Sequence, residues 1–326
     1  MSPWRGAACI LTRTVRTGWQ PIFNVLEGRF QIFLVNAQSI KRMPGRKTDM
    51  NDAEWIASLM QHGLLQPSFI PDRQQRELRD LTRYRQSLIQ ERCRFANRLQ
   101  KVLEGTNLKL SSVATDLQGI SAQTILRALL NGQDDPQVLA NMARGRLRSL
   151  LRGHSRSKRA ELERALMGQL TAHHRFMLTE LLTHLDFLDE QIARLEAQIE
   201  DQMAPLPLYL EAIRLLDTIP GVDRHLAILI VAEMGVDMSR FPSDRHLTAW
   251  AGVAPGNNET GGKRRPAKVR RGNKYLQSGL VLAAHAAART KQTYLRSLYG
   301  RLAARRGKGR AAPWPSPEPS YRWLST

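Results

Sequence analysis

Leu178, Leu181, Leu185, Leu188, Ile192, Leu195 and Ile199 follow one another in alternating steps of three and four residues. A strand alternates every two residues, so this spacing admits only a helix with one apolar stripe. Leu78, Leu81, Leu88, Phe95, Leu99 and Val102 repeat the pattern, with Arg85 and Arg92 interrupting the seam. Two helices of about thirty residues are therefore expected, packed as an antiparallel coiled-coil-like pair or used for dimerisation. An ordinary helical-bundle core satisfies the same spacing.

The remaining chain must fit around that pair. Its 326 residues allow two or three domains, and 42% hydrophobic residues can build real cores. Lys and Arg number 49 against 29 acids, a net charge of +20, with a pI near 10.9. Such an imbalance points to a polyanionic partner, nucleic acid first. No run of 18 apolar residues suggests a membrane span, and no long apolar leader opens the chain. Two cysteines, Cys9 and Cys93, make neither a disulfide framework nor a zinc site. The expectation is a cytoplasmic protein with reduced thiols.

Composition suggests divisions at residues 1–71, 72–104, 105–165, 166–204, 205–312 and 313–326. In the first, "FQIFLVN" reads as a buried strand, preceded by a short helix that Gly28 closes. "KTDMNDAEWIASLMQHGLL" reads as a helix with an apolar stripe of Ala53, Ile56, Ala57 and Met60, stopped by Gly63. Asp49 and Asp52 share a face near its start, where carboxylates cap free N–H groups or hold metal ions. Residues 72–104 and 166–204 are the long helices. Between them, Ala143 to Ala160 holds seven cations and no acid, as a phosphate-contacting segment would.

After Pro205 and Pro207 the pattern is helix, Pro-Gly turn, helix around Pro220 and Gly221. This helix-hairpin-helix-like turn would aim N–H groups at phosphate, with Gly221 at its tip. Further on, Gly261-Gly262 precede Lys263, Arg264, Arg265, Lys268, Arg270, Arg271 and Lys274, seven cations within twelve residues and a polyanion footprint. The Pro- and Trp-rich residues 313–326 are expected to be disordered.

In order, "VNAQSIKRMPGRKTDMNDAEWIASLMQHGLL", "LRDLTRYRQSLIQERCRFANRLQKVLE", "IPGVDRHLAILIVAEMG" and "FPSDRHLTAWAGVAPGNNETGGKRR" resemble the DEDD transposases of the insertion sequence 110/1111/116 family. The resemblance implies a mixed, mostly α protein. Its N-terminal domain would be a partial RNase H/RuvC-like α/β domain, and its C-terminal transposase domain helical. Four acids of the family bind two magnesium ions, and the last two match Asp49 and Asp52. The family's serine nucleophile matches Thr260. Lys47 precedes the acidic pair as a nucleic-acid-binding candidate. Family members act on DNA with a structured element-encoded guide RNA, and joining two DNA ends implies a homo-oligomer, a dimer or tetramer.

Two departures follow from the same match. The family's first Asp has no counterpart here. The place of its Glu, before Trp19, is basic or neutral near Arg13, and no Asp or Glu precedes Glu27. The expectation is a catalytically impaired copy, truncated at its start and frameshifted near its end. The alternatives are a non-catalytic DNA- or RNA-binding remnant that inhibits intact copies, and a Holliday-junction nuclease that needs only the acidic cluster.

Overall fold

The computed structural model describes residues 8–13, 18–36, 49–65, 67–110, 119–142, 162–168, 170–254, 259–264 and 272–306. They are mostly helical and fall into two compact units, Met1–Arg73 and Gln74–Thr326.

The smaller unit holds strands β1 (Ala8–Arg13) and β2 (Gln31–Asn36), with helix α1 (Gln20–Leu26) between them. The strands pair in parallel, Ala8 opposite Gln31 through Arg13 opposite Asn36. A parallel pair needs a crossover, and the α1 segment supplies it. Gly28, at φ +80°, adopts the left-handed turn that ends α1, as its position in the sequence suggests. Helix α2 (Asp49–Gln61) follows. Leu59 of α2 and Val35 of β2 are buried together, with Phe33, Trp55, Ile56 and Leu65 against them. Of the apolar stripe expected on α2, Ile56 and Met60 are half-buried and Ala57 is exposed. Leu59 centres the packed face instead, and Ile56 packs beside it.

The larger unit is organised by α3 (Arg73–Gly105) and α6 (Ala172–Met203). Arg85 pairs with Glu196 at 2.5 Å, Arg92 pairs with Asp189, and the rings of Phe95 and His184 stack at 3.9 Å. As the first number of each contact rises the second falls, so the helices run antiparallel. The two arginines that interrupt the apolar seam of α3 thus meet carboxylates of α6. Leu178, Leu181, Leu185, Leu188 and Ile199 are buried inside this chain.

Each end of the helical hairpin closes on its own core. At the distal end, Leu99 and Leu103 of α3 and Leu178, Leu182 and Leu185 of α6 enclose Ile125, Leu126 and Leu129 of α4 (Ile120–Leu130). Leu139 of α5 (Pro136–Asn141) completes that core. Both short helices lie within residues 105–165, ahead of the basic run that is all the sequence reading marks there. Asp135 caps α5 through the N–H of Gln137.

The proximal end packs α7 (Pro207–Asp217), α8 (Arg224–Met234), α9 (Asp244–Ala251) and α10 (Lys274–Arg289) against Leu78, Ile199 and Met203. Every residue of α8 from Ala227 to Met234 is buried. A helix apolar all round belongs at the centre of a core, and "LAILIVAEM" is one. A two-stranded ribbon, β3 (Glu259–Thr260) and β4 (Lys263–Arg264), lies between α9 and α10 in the sequence. Helix α11 (Tyr294–Arg306) follows α10.

Candidate functional site

In the smaller unit, Asp49 is the first residue of α2 and Asp52 follows in the same turn. Three residues in a helix rotate through about 300°, so the two positions stand on one face. The packed face around Leu59 holds the other end of α2, which leaves the acidic pair at the end away from that contact. Among the described residues no group of three or more His, Cys, Asp and Glu side chains is arranged to hold a metal. Lys47 lies outside the described residues, as do Arg265, Lys268, Arg270 and Arg271.

In the larger unit, Thr260 sits beside the tip of the β3–β4 ribbon. It pairs with Lys263 across Gly261 and Gly262, and Glu259 pairs with Arg264. Both glycines have positive φ, 59° and 72°, as a two-residue type I′ hairpin turn requires. The Gly-Gly signal was thus legible in the sequence, and the turn brings Thr260 and the first cation of the basic run to adjacent strands.

The two ends of the segment that carries this ribbon meet. Gly252, at φ +74°, lies against Gly272 so closely that a Cβ on Gly272 would stand 2.2 Å from the Gly252 nitrogen. The Gln277 amide donates to the Gly252 carbonyl at 3.0 Å, and the Asn273 N–H donates to the Trp250 carbonyl at 3.3 Å. Asn273 also caps α10, its Oδ1 accepting from the N–H groups of Tyr275 and Leu276.

Asn273 leads to a buried charge that the sequence reading passed over. Its Nδ2 donates to Oε2 of Glu233 at 2.6 Å. Glu233 is fully buried, and Arg83 of α3 grips it with two bonds, Nε to Oε1 at 2.6 Å and Nη2 to Oε2 at 2.8 Å. Arg79 lies 3.5 Å from the same carboxylate and donates to the backbone carbonyls of Ala232 and Glu233 at the end of α8. Gln75 donates to Ala232 as well, at 3.1 Å. The guanidinium of Arg83 lies 4.8 Å from the ring centre of Tyr275. Burial pulls the Arg79 pKa down, whereas the hydrogen bond that Arg83 donates to Glu233 pushes its own pKa up. The cluster satisfies carbonyls that a helix C-terminus leaves free and ties α3, α8 and α10 together. Two sequence signals pointed here: a lone acid in an otherwise apolar helix, and arginines four apart on α3.

Gly221 has φ +93°, and a Cβ there would come 2.3 Å from the Ala283 carbonyl oxygen. The Pro-Gly turn is thus fitted against the backbone of α10. The N-terminus of α8 behind it is capped by the Asp223 carboxylate, which accepts from the Leu226 N–H at 2.9 Å. Lys274 is exposed as the first residue of α10.

Comparison with known proteins agrees with these two regions. Residues 5–108 match a family model described as "Transposase", and residues 213–300 match the model of the "Transposase IS116/IS110/IS902 family". Similar proteins include the "Insertion element IS110 uncharacterized 43.6 kDa protein" of Streptomyces coelicolor, 29% identical over 74% of this chain and 61% of the relative. A "Probable family 20 transposase" of Pseudomonas aeruginosa is 25% identical over 78% of this chain and 64% of the relative. The "Transposase for insertion sequence element IS1328" of Yersinia enterocolitica is 33% identical over 33% of this chain and 31% of its own length. The chain thus spans under two thirds of the first two relatives. It belongs to the IS110 family of insertion-sequence transposases.

Proposed function

We propose that this chain serves a mobile element as a transposase, binding DNA through its basic C-terminal segments and cleaving and joining strands. The observation that carries the reading is the joint presence, in order, of the two transposase matches: one contains the acidic pair and the other the Thr260 ribbon. The smaller unit, with its parallel β1–β2 pair, would be part of an RNase H/RuvC-like domain, and the Pro220-Gly221 turn a helix-hairpin-helix-like element.

The chemistry assigns each residue a task. Asp49 and Asp52 offer hard oxygen donors of the kind Mg²⁺ prefers, and they would hold that ion. When bound, the metal supplies charge against the attacking and leaving phosphate oxygens. The Thr260 hydroxyl gives up its proton, its oxygen bonds to phosphorus, and a DNA strand oxygen leaves. The resulting covalent link conserves the phosphodiester energy for a second transesterification. Lys47, Gly221, Lys263, Arg264, Arg265, Lys268, Arg270, Arg271 and Lys274 would hold phosphates. An element-encoded guide RNA and a homo-oligomer, dimer or tetramer, complete the proposed assembly in the cytoplasm. No described helix is long and apolar enough to cross a membrane.

Activity is reduced in this reading, since the family's Glu position before Trp19 carries no acid. The same observation favours a second reading, a non-catalytic DNA- or RNA-binding protein that competes with intact copies. An SDS-resistant protein–DNA adduct tests both. Under the first reading a weak Mg²⁺-dependent adduct forms, Thr260→Ser preserves it, and Thr260→Ala or Asp49→Asn abolishes it. DNA binding without any adduct supports the second. An adduct that survives Thr260→Ala removes that hydroxyl from the mechanism.

A further inference from the structure

From Thr260 to Pro317 the chain contains no Asp or Glu. The described part of this stretch is the α10–α11 hairpin, which continues past residue 300, where the family match ends. Arg289, Lys291, Arg296, Arg301 and Arg305 are all exposed here. None has a carboxylate partner among the described residues.

Elsewhere in the larger unit exposed arginines have acids on their own helix, as Arg94, Arg98, Arg194 and Arg245 do, or meet one on a neighbour. Arg127 meets Asp186, Arg175 meets Asp134, Arg214 meets Glu211 and Arg224 meets Glu200, all at 2.6 to 2.9 Å. A charged face that merely keeps a helix soluble commonly mixes the two signs. Five cations with no acid among them repel one another, and a polyanion laid over them would relieve that repulsion.

The geometry of α11 narrows the polyanion. Leu295, Leu298 and Leu302 are half-buried and define the inner side. At about 100° per residue, Arg296 lies on one flank of the outer side, and Arg301 and Arg305 lie on the other. The ridge between the flanks holds only Ser297, Gly300 and Ala304, all exposed. The major groove of duplex DNA is about 12 Å wide and admits an α-helix with cations reaching both phosphate walls. The corresponding groove of duplex RNA is too deep and narrow for that approach.

We infer that α11, with the Arg289–Lys291 turn, is a second DNA-binding surface. It takes the phosphate backbone of duplex DNA on both flanks of the helix, without reading sequence. The inference rests on the DNA-binding reading above but uses none of its residues.

The test is fluorescence anisotropy with the full chain and a random-sequence 30-base-pair duplex, from 50 to 200 mM salt. The variants are Arg296→Gln/Arg301→Gln/Arg305→Gln and, separately, Lys263→Gln/Arg264→Gln/Lys274→Gln. Each lost phosphate contact lowers the slope of log affinity against log salt by about 0.9. The triple α11 variant should therefore lose about 2.7 from that slope and respond about 40-fold less to the salt change. Its thermal unfolding should be unchanged, because the three side chains are exposed. A normal slope for the α11 variant beside a reduced slope for the loop variant overturns this inference alone. No salt-dependent binding by the wild type overturns it together with the DNA-binding reading. A loss confined to an RNA hairpin of equal length also overturns it, since the surface would then fit RNA.

Discussion

The two ends of the α3–α6 hairpin are closed in opposite ways. The distal end is sealed by aliphatic side chains from α4 and α5, and the charged side chains buried among the described residues, Arg76 and Glu233, belong to the other end. The proximal end buries a carboxylate with two guanidinium groups around it. Hydrophobic closure is non-directional and tolerates repacking, whereas a buried ion pair is costly unless every partner is in place. The proximal end is also where the ribbon-bearing segment leaves and rejoins the helices. Geometry matters there, and the polar cluster supplies it.

The largest expected effect separates the two ends directly. Glu233→Ala leaves Arg79 and Arg83 without their acid and should cost about 3–5 kcal/mol in chemical denaturation. A loss under 1 kcal/mol would mean that water or another acid serves the arginines. Leu126→Ala at the distal end should cost about 2–5 kcal/mol by cavity formation. Adding a small apolar ligand should recover part of that loss, a rescue that Glu233→Ala should not show.

Asn273 sharpens the comparison at the level of a single bond. Asn273→Ala removes both the cap of α10 and the bond to Glu233, and about 1 kcal/mol or more should be lost. Asn273→Ser keeps a capping oxygen but not the amide donor. If the Glu233 bond fixes the exit of the segment, trypsin should cut residues 263–271 faster in both variants. Equal cutting of Asn273→Ser and wild type would reduce Asn273 to a cap.

The smallest effect concerns the surface. The hydrogen bond from Arg224 holds the Glu200 pKa below its ordinary value. Its contribution is therefore complete above the ordinary glutamate range and is lost as pH falls through the depressed value. Arg224→Gln should lower stability by under about 1 kcal/mol at neutral pH, and the difference should vanish in strong acid. A difference that persists there would point to packing of the arginine stem.

What the sequence disclosed follows the range of each interaction. Period and punctuation are local, so the long helices, the β2 strand and the stops at Gly28 and Gly63 could be read directly. The Gly261-Gly262 pair carried a hairpin signal too, although that stretch was read only as a basic loop. The partners of Arg85 and Arg92 were not, because periodicity marks a gap in a seam without naming the residue that fills it. The Glu233 cluster joins positions 150 residues apart along the chain, Arg83 and Glu233. The α4 and α5 helices went unread because each is short and the basic run that follows them, Ala143 to Ala160, is the stronger signal in that stretch. The spacing of Asp49 and Asp52 left a cap or a metal pair open and resemblance favoured the metal, whereas Thr260 came from resemblance alone.

The Gly252–Gly272 contact has a meaning for how such a chain can change. It acts as a neck, and the chain between these glycines, after the core residue Val253, leaves from it as a cassette. With the ends already joined, doubling the cassette's length would cost only about 0.6 kcal/mol in closure entropy. The length of this cassette can therefore change around Thr260 and its cations while the helices that carry it stay as they are.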